Sequence, residues 1–252
     1  MDHVNYLYQI AHRPASHVRV LLNGVPLYDR EPDKNVTPRG PVSHWLLPGA
    51  NTVSIELQPR PPSPRAPFLG PHFAMWIMTA DEDETLFSWE FPGSIVAAGQ
   101  EPALPWAHAA PFTASTSLPQ PVFMRGSRED FPPEGTPAQR EAVAELYDAF
   151  ATGDGAKFSA AMDLKFTEFE RYYGPQPGAR ADSVSRLGEP WIMEPFDPQD
   201  LRFDSYLDGR VAYVRRESGK PAVRAQHRDV AFMGWGSDLY LTRLDGRWRV
   251  FR

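Results

Sequence analysis

The stretch Leu239-Tyr-Leu-Thr-Arg-Leu-Asp-Gly-Arg-Trp-Arg-Val-Phe251 decides how the C-terminal half of this chain is interpreted. Apolar residues alternate on both sides of the Asp-Gly dipeptide, which is a strong signal for a two-residue β-hairpin turn. Alternation places two pairs of apolar side chains on one face of their strands: Leu239 with Leu241, and Trp248 with Val250. The pattern therefore predicts a closing hairpin that directs these pairs into a core.

Two further turn signals lie upstream of this hairpin. Asp-Gly at 208–209 separates two alternating segments, and Ser-Gly at 218–219 precedes a third. Short strands joined by such turns pair as antiparallel neighbours, so residues 201–251 are predicted to form an antiparallel meander. The preceding segment, 175–199, is predicted to be irregular and to carry three scattered apolar anchors: Trp191, Ile192 and Phe196.

Two helices are predicted to precede this part of the chain. The run Thr136-Pro-Ala-Gln139 places an N-cap, a proline at the first helical position and a capping-box glutamine at the required spacing. Apolar residues then follow at i, i+3, i+4 and i+7: Val143, Leu146, Tyr147 and Phe150. Gly153 suits the end of this helix, and Asp154 suits the start of a second helix that ends at Gly174.

The run AVAELYDAFATGDGAKFSAA, residues 142–161, resembles the opening of the nuclear transport factor 2-like superfamily of α+β cones, which is also called ketosteroid isomerase-like. The closing LYLTRLDGRWRVFR resembles the final hairpin of the same superfamily. The resemblance covers residues 136–252 and implies helices packed on a curved antiparallel sheet. Because the superfamily mixes isomerases, dehydratases, small-molecule binders and protein-binding modules, the fold alone does not assign an activity.

Proline organises the N-terminal half, since 20 of the 27 prolines lie before residue 136. Proline lacks a backbone donor and breaks helices, so this half is predicted to consist of strands. Its short alternating runs are separated by Asn-Gly and Pro-Gly dipeptides, as in β-sandwiches. We therefore predict an antiparallel β-sandwich domain at 1–125, with Pro121–Arg125 as its last strand, followed by a linker at 126–135.

Two features of this half suggest more specific interpretations. The runs VRVLLNGVPLY and LLPGANTVSIEL resemble the turns of jelly-roll modules that accompany many glycosidases. A proline-rich insertion at 59–71 is predicted to be an exposed extended loop, and a ligand for an SH3-type domain is the alternative. The fold class predicted for the whole chain is therefore α+β, with a β-sandwich followed by an α+β cone.

Composition narrows the choice of partners. A net charge of −6 and a pI of about 5.7 disfavour nucleic acid and an anionic membrane surface. The absence of cysteine excludes disulfides, thiolate zinc sites and a cysteine nucleophile, and it is consistent with a cytoplasmic protein. No apolar run approaches the roughly 18 residues of a membrane span, and the N-terminus lacks the pattern of a signal peptide.

No catalytic signature accompanies these features. The chain has no Gly-x-Ser-x-Gly elbow, Walker loop, dinucleotide glycine fingerprint or His-Glu-x-x-His pair. Its seven histidines are scattered without the spacing of a metal site, so neither a metal nor another cofactor is expected. His12 and His17 could meet across a turn, but both are predicted to be surface or half-buried residues.

Four tryptophans are predicted to lie in loops beside proline, glycine or histidine: Trp45, Trp106, Trp191 and Trp235. Exposed aromatic side chains near loops are typical hot spots of protein interfaces, and packed loop anchors are the alternative. Since no catalytic residues converge, the leading hypothesis is a non-enzymatic protein that binds another protein. An inhibitor or immunity protein that masks a toxin is one concrete version.

The resemblance to the cone superfamily implies an alternative function, a small-molecule enzyme or binder that uses a cavity. The candidate cavity residues come from the second helix and from inward strand positions: Glu168, Tyr172, Tyr213 and His227. A carboxylate or histidine beside a tyrosine donor would suit proton abstraction next to a carbonyl. An open pocket with convergent polar side chains would favour this alternative, whereas a cavity filled by aromatic residues would favour the binding protein.

Overall fold

The computed structural model of the protein describes residues 5–60, 70–100, 102–230 and 233–252. These residues form an α+β protein with five α-helices and four antiparallel sheets, which confirms the α+β part of the predicted fold class. The chain divides into two compact units, Met1–Gln120 and Pro121–Arg252. Most of the proline-rich insertion, residues 61–69, lies outside the described residues, so its two interpretations stay open.

The described residues of the first unit form eight strands and one short α-helix. Their bounds are β1 Tyr6–His12, β2 Ser16–Leu22, β3 Val25–Arg30, β4 Arg39–Pro41, β5 Ala50–Pro59, β6 Phe73–Thr79, β7 Thr85–Phe91, α1 Gly93–Ala97 and β8 Trp106–Thr113. The strands form two four-stranded antiparallel sheets, with the orders β4-β1-β6-β7 and β3-β2-β5-β8.

Alternation along the strands gives both sheets of this unit a buried apolar face. Val20 of β2 lies opposite Ile55 of β5, and both side chains are fully buried. The ring of Trp89 in β7 stacks on the ring of His108 in β8, with 5.0 Å between centroids. Side chains of the two sheets therefore meet in one core.

Two turn dipeptides of the first unit have different outcomes. Asn23 and Gly24 join β2 to β3 with φ angles of 52° and 79°, the left-handed pair that a tight hairpin turn requires. The dipeptide at 92–93, predicted to be a turn, instead opens helix α1. The hydroxyl of Ser94 accepts a hydrogen bond from the backbone N–H of Glu90 at 3.0 Å, which connects the first turn of α1 to the end of β7.

The second unit, as far as its residues are described, contains four α-helices and seven strands. Their bounds are α2 Pro137–Thr152, α3 Gly155–Ala161, α4 Asp163–Tyr173, α5 Ala179–Ser185, β9 Trp191–Met193, β10 Leu201–Tyr206, β11 Val211–Arg216, β12 Val223–His227, β13 Gly234–Ser237, β14 Leu239–Leu244 and β15 Arg247–Val250. Four strands form a sheet of order β10-β11-β14-β15, and the other three form a small sheet of order β13-β12-β9.

The start of α2 follows the predicted capping box. The Thr136 hydroxyl accepts from the backbone N–H of Gln139 at 3.3 Å, and the Gln139 side chain accepts from the backbone N–H of Thr136 at 2.7 Å. Gly153 ends the helix with a φ of 65°, and Asp154 caps the next one by accepting from two backbone N–H groups. Both predicted boundaries of α2 are confirmed.

The prediction of one continuous second helix is wrong. Met162, with a φ of −99° and a ψ of 4°, separates α3 from α4. The break has a packing reason. Phe158 and Met162 are buried in the main core of this unit, whereas Glu168 is buried beside the backbone of Val122. The break lets α3 face the core while α4 brings Glu168 to Val122. Apolar periodicity alone does not distinguish a bent amphipathic helix from a straight one.

The predicted closing hairpin is confirmed. Strands β14 and β15 pair through the turn at Asp245 and Gly246, whose φ angles are 49° and 77°. The two predicted pairs of inward side chains all belong to one core cluster with the apolar face of α2: Leu239, Leu241, Trp248 and Val250. The hairpin is therefore part of the core and not a peripheral tail.

The segment predicted to be a linker, 126–135, is packed within the second unit. The backbone N–H of Phe203 donates to the carbonyl oxygen of Pro133 at 2.7 Å, and the ring of Phe131 meets Trp248 edge-on at 5.5 Å. The strand predicted just before it is also wrong, because Val122–Arg125 form a 3-10 helix. The contacts of Phe131 and Pro133 come from residues about 70 to 120 positions away, beyond the reach of a local pattern.

We expect Trp248→Ala to lower the free energy of unfolding by about 3–5 kcal/mol, because it removes a large side chain from the core. Urea denaturation followed by circular dichroism measures this change. Arg249→Ala, at an exposed position of the same strand, serves as the control and should stay within about 0.5 kcal/mol of the wild type. Equal midpoints for both variants would contradict the core assignment of the hairpin.

The two Asp-Gly turns of the second unit offer a matched test of the packed segment. Gly209 and Gly246 have φ angles of 79° and 77°, so alanine costs roughly 1–2 kcal/mol of backbone strain at either. A Cβ atom at Gly209 would also overlap the carbonyl of Glu129, whereas one at Gly246 meets no atom of the described residues within 4 Å. We expect Gly209→Ala to be the more destabilising by roughly another 1–3 kcal/mol in urea denaturation. Equal losses would show that residue 129 does not lie against this turn.

Candidate functional site

The four predicted hot-spot tryptophans occupy different environments. Trp45 is fully buried in the core of the first unit, so its side chain offers no exposed area for contact. Trp106 is half-buried and begins strand β8, where the sequence predicted a loop. Trp191 is half-buried in β9. The backbone of Trp235 lies in β13, and its side chain is outside the part that the structure describes.

Strand pairing brings two of these tryptophans into the small sheet of the second unit. Trp191 of β9 lies opposite His227 of β12, and Trp235 of β13 lies opposite Ala225 of the same central strand. Both tryptophans were predicted from the sequence to lie in loops. The small sheet was missed because two of its strands have only three and four residues, and because two glycines interrupt the second.

The small sheet also carries exposed apolar side chains. Among the described residues, three large hydrophobic side chains are exposed: Val96 by 57%, Ile192 by 51% and Met233 by 43%. Two of them belong to this sheet or its border, since Ile192 lies in β9 and Met233 precedes β13. Ile192 was predicted to be an apolar anchor, and its exposure shows that this is wrong. Its neighbours Trp191 and Met193 pack against the core, so alternation turns Ile192 outward.

The ring of Trp191 is held in place by two contacts. Its indole nitrogen donates to the carbonyl oxygen of Arg186 at 2.8 Å, and its ring meets the ring of His227 edge-on with 5.3 Å between centroids. The opposite charges beside the sheet are paired, because Glu194 binds Arg224 at 2.8 Å and contacts Arg216 at 3.6 Å. An aromatic ring that is already fixed loses little conformational freedom when it binds a partner.

Glu168, the first cavity candidate, makes hydrogen bonds that hold two parts of the second unit together. Its carboxylate accepts from the backbone N–H of Val122 at 3.1 Å, from Arg125 at 3.3 Å and from Arg171 at 3.4 Å. These bonds connect α4 to the 3-10 helix that begins the second unit. Tyr172, one helical turn further on, is buried, and its burial together with the nearby Glu168 carboxylate raises the pKa of its hydroxyl.

The other two cavity candidates lie elsewhere in the second unit. The Tyr213 hydroxyl donates to the carboxylate of Asp238 at 3.3 Å, and its ring lies 5.0 Å from that of Tyr240. His227 belongs to the small sheet, where its Nδ1 accepts from the backbone N–H of Asp229 at 3.2 Å. The four candidates thus occupy three separate environments and do not form one acid-base constellation.

Three of the pockets formed by the described residues have volumes of about 390, 580 and 510 Å³, and none of these three is lined by Glu168, Tyr172, Tyr213 or His227. The space between α2 and the two sheets of the second unit is occupied by a core cluster with large apolar side chains. Its members include Leu146, Phe150, Phe158, Met162, Phe203 and Trp248.

A polar group in the first unit was not foreseen. His12, predicted to be a surface or half-buried residue, is only 2% exposed. Its Nδ1 lies 2.9 Å from the hydroxyl of Tyr28, and its Nε2 lies 3.1 Å from the carbonyl oxygen of Ser16. Burial, together with smaller effects of the nearby basic groups His17, Arg60 and His72, lowers the pKa of His12 to about 4. The ring is therefore neutral at pH 7.

The lowered pKa makes stability depend on pH. Between pH 6.5 and 4 the unfolded chain binds a proton at His12 that the folded chain does not, so folding stability falls as the pH falls. The expected loss is about 1.4 kcal/mol per pH unit, and it stops growing below about pH 4. Urea denaturation between pH 7 and 4 should show a shallower loss for His12→Gln, which lacks this titration. Equal slopes for variant and wild type would refute the assignment.

Comparisons with protein-family models, with curated proteins and with solved structures find no match to this chain. Within the described ranges, no group of three or more histidine, aspartate or glutamate side chains could hold a metal ion. The same ranges contain no helix whose length and apolar character would let it cross a membrane. A functional hypothesis for this chain therefore rests on the geometry of its surfaces and pockets.

Proposed function

We propose that the protein is a non-enzymatic binding protein and that it contacts a protein partner through the small sheet of its second unit. One observation carries the proposal. Two of the three large hydrophobic side chains that are exposed among the described residues lie at this three-stranded sheet, Ile192 in β9 and Met233 directly before β13, and the sheet also contains the backbones of two predicted hot-spot tryptophans, Trp191 and Trp235. Exposed apolar side chains that cluster on one element are typical of interaction sites, whereas scattered ones need no explanation.

The local geometry suits an interface. Ile192 lies opposite Gln226, which in turn lies opposite Gly234, so an apolar side chain, an amide and a bare backbone follow one another across the sheet. Because glycine has no side chain, a partner can approach the backbone there closely. Within the described residues, β9 pairs only with β12, so its outer edge also offers backbone donors and acceptors.

The proposal also includes the domain architecture of the chain. We infer that the two units are separate domains, a β-sandwich and a cone of the nuclear transport factor 2-like type. Support for the sandwich comes from two four-stranded antiparallel sheets that share a core, and support for the cone comes from helices that precede an antiparallel sheet ending in a hairpin. The boundary proposed now lies at 120–121, since residues 121–135 pack in the second unit.

An inhibitor or immunity protein is the specific form that the charge supports best. Residues 1–120 contain seven basic and eleven acidic residues, and residues 121–252 contain 19 basic and 21 acidic ones, so both parts are acidic. Such a balance steers association toward a basic protein partner and away from nucleic acid and anionic membranes. A cytoplasmic location, in keeping with the absence of cysteine, is part of this proposal.

The alternative, a small-molecule enzyme or binder, requires a pocket in the second unit with convergent polar side chains. Glu168 instead satisfies the backbone of Val122 and two arginines, and Tyr172 is buried beside it. The centre of the unit holds Phe150, Phe158 and their neighbours of the core cluster. These contacts favour the binding protein.

A charge placed at Ile192 tests the proposed surface. Wild-type protein and the Ile192→Glu variant would be used as baits in extracts of the native host, and captured proteins would be quantified by mass spectrometry. A partner captured by the wild type should then be purified and titrated by calorimetry. We expect the variant to bind at least about tenfold more weakly, because the interface would bury an unpaired carboxylate.

Val96→Glu supplies the matched control. Val96 is the third exposed large hydrophobic residue among the described ones, and it lies in α1 of the first unit, so it is not part of the small sheet. Its variant removes a similar apolar side chain and adds the same charge, so it should retain the partner. Melting temperatures close to the wild type would show that both variants fold. Loss of the partner in both variants, or retention in both, would overturn the assignment of this surface.

A further inference from the structure

A pocket of about 510 Å³ lies in the first unit, at the end of β3. Its lining residues are Tyr28 and Arg30 of β3, and Glu31, Pro32, Val36, Thr37 and Pro38 of the segment that follows. The volume lies in the range of small-molecule sites, and most of these side chains present carbon to the pocket. Neither the small sheet nor any cavity candidate contributes to it, so this site is distinct from the proposed interface.

The walls of the pocket are fixed by hydrogen bonds. Arg60 donates to the carbonyl oxygens of Glu31 and Pro32 at 2.7 and 3.1 Å, and it pairs with Asp33 at 3.0 Å. At the other end of the loop, the backbone N–H of Ile10 in β1 donates to the carbonyl oxygen of Pro38 at 2.9 Å. Because both ends of the loop are attached, the pocket is largely formed before a ligand arrives, which lowers the entropy cost of binding.

The buried histidine behind Tyr28 determines the direction of hydrogen bonding. The carbonyl oxygen of Ser16 can only accept, so the Nε2 of His12 carries the proton of the neutral ring. Nδ1 is then an acceptor, and the hydroxyl of Tyr28 must donate its proton to it at 2.9 Å. The Tyr28 oxygen therefore has only lone pairs left to offer. A ligand that meets this oxygen has to supply the proton.

We propose that this pocket binds small flat aromatic molecules that carry an N–H or O–H donor, which they present to the hydroxyl oxygen of Tyr28. The apolar lining formed by Pro32, Val36 and Pro38 covers the faces of the ring system. The donor requirement follows from the Ser16–His12–Tyr28 chain of hydrogen bonds. An analogue of the same shape without the donor leaves a polar atom of the site unpaired, and this discriminates more strongly than a change in apolar contact.

Three indoles separate the donor from the size of the ligand. Indole carries the N–H group, 1-methylindole lacks it, and 3-methylindole keeps it while adding the same methyl group. Each would be titrated into the full-length protein while the methyl resonances of Val36 are followed by NMR, with Val36→Ile used to assign them. We expect saturable shifts with indole and 3-methylindole, and binding of 1-methylindole weaker by about tenfold, the value of one hydrogen bond.

The Tyr28→Phe variant should lose this selectivity and bind indole and 1-methylindole with equal affinity. Tyr147→Phe is the matched control, since it also removes one hydroxyl that makes one hydrogen bond, at 3.2 Å to the carbonyl of Glu194 in the second unit. It should keep the wild-type preference. Equal binding of the three indoles to wild-type protein, or shifts that leave Val36 untouched, would overturn the proposal, and neither outcome depends on whether a variant folds.

Discussion

The burial of Trp248 is the interaction on which the second unit depends. Its side chain joins the closing hairpin to the apolar face of α2, and its ring also contacts Phe131 of the segment that precedes that helix. Three parts of the chain that are distant in sequence thus share one contact region. The small sheet is attached to the same core through Val223 and Ala225, so the geometry of the proposed interface depends on this packing as well.

Local sequence patterns predicted the structure correctly where it depends on residues that are neighbours along the chain. The capping box at Thr136 and the Asp-Gly turn at 245–246 could be predicted because turn dihedrals and helix caps are satisfied within four residues. The break at Met162 and the packing of 126–135 could not. Both depend on which distant surface a side chain reaches, and a periodic pattern contains no such information.

The candidate site also combines features that the local sequence predicts with features that depend on distant contacts. Trp191 and Trp235 were predicted from the sequence to be interface residues. That both belong to one sheet depends on the pairing of β12 with β9 and β13, which the sequence pattern does not specify. The exposure of Ile192 could have been anticipated from alternation if the three-residue strand had been recognised. The bond between His12 and Tyr28 was beyond reach, because it connects strands of two different sheets whose pairing no short pattern specifies.

The packing of residues 121–135 decides where the chain can be divided for expression. A fragment that begins at Thr136 would keep α2 with its cap but would leave the buried carboxylate of Glu168 without Val122 and Arg125. It would also uncover Phe203 and Trp248. In such a fragment the Glu168 carboxylate keeps Arg171 but loses its other two partners, and apolar surface becomes open to solvent; both changes promote aggregation. A fragment that begins at Pro121 retains these contacts. Residues 121–135 therefore belong to the folding unit that recombination could transfer intact.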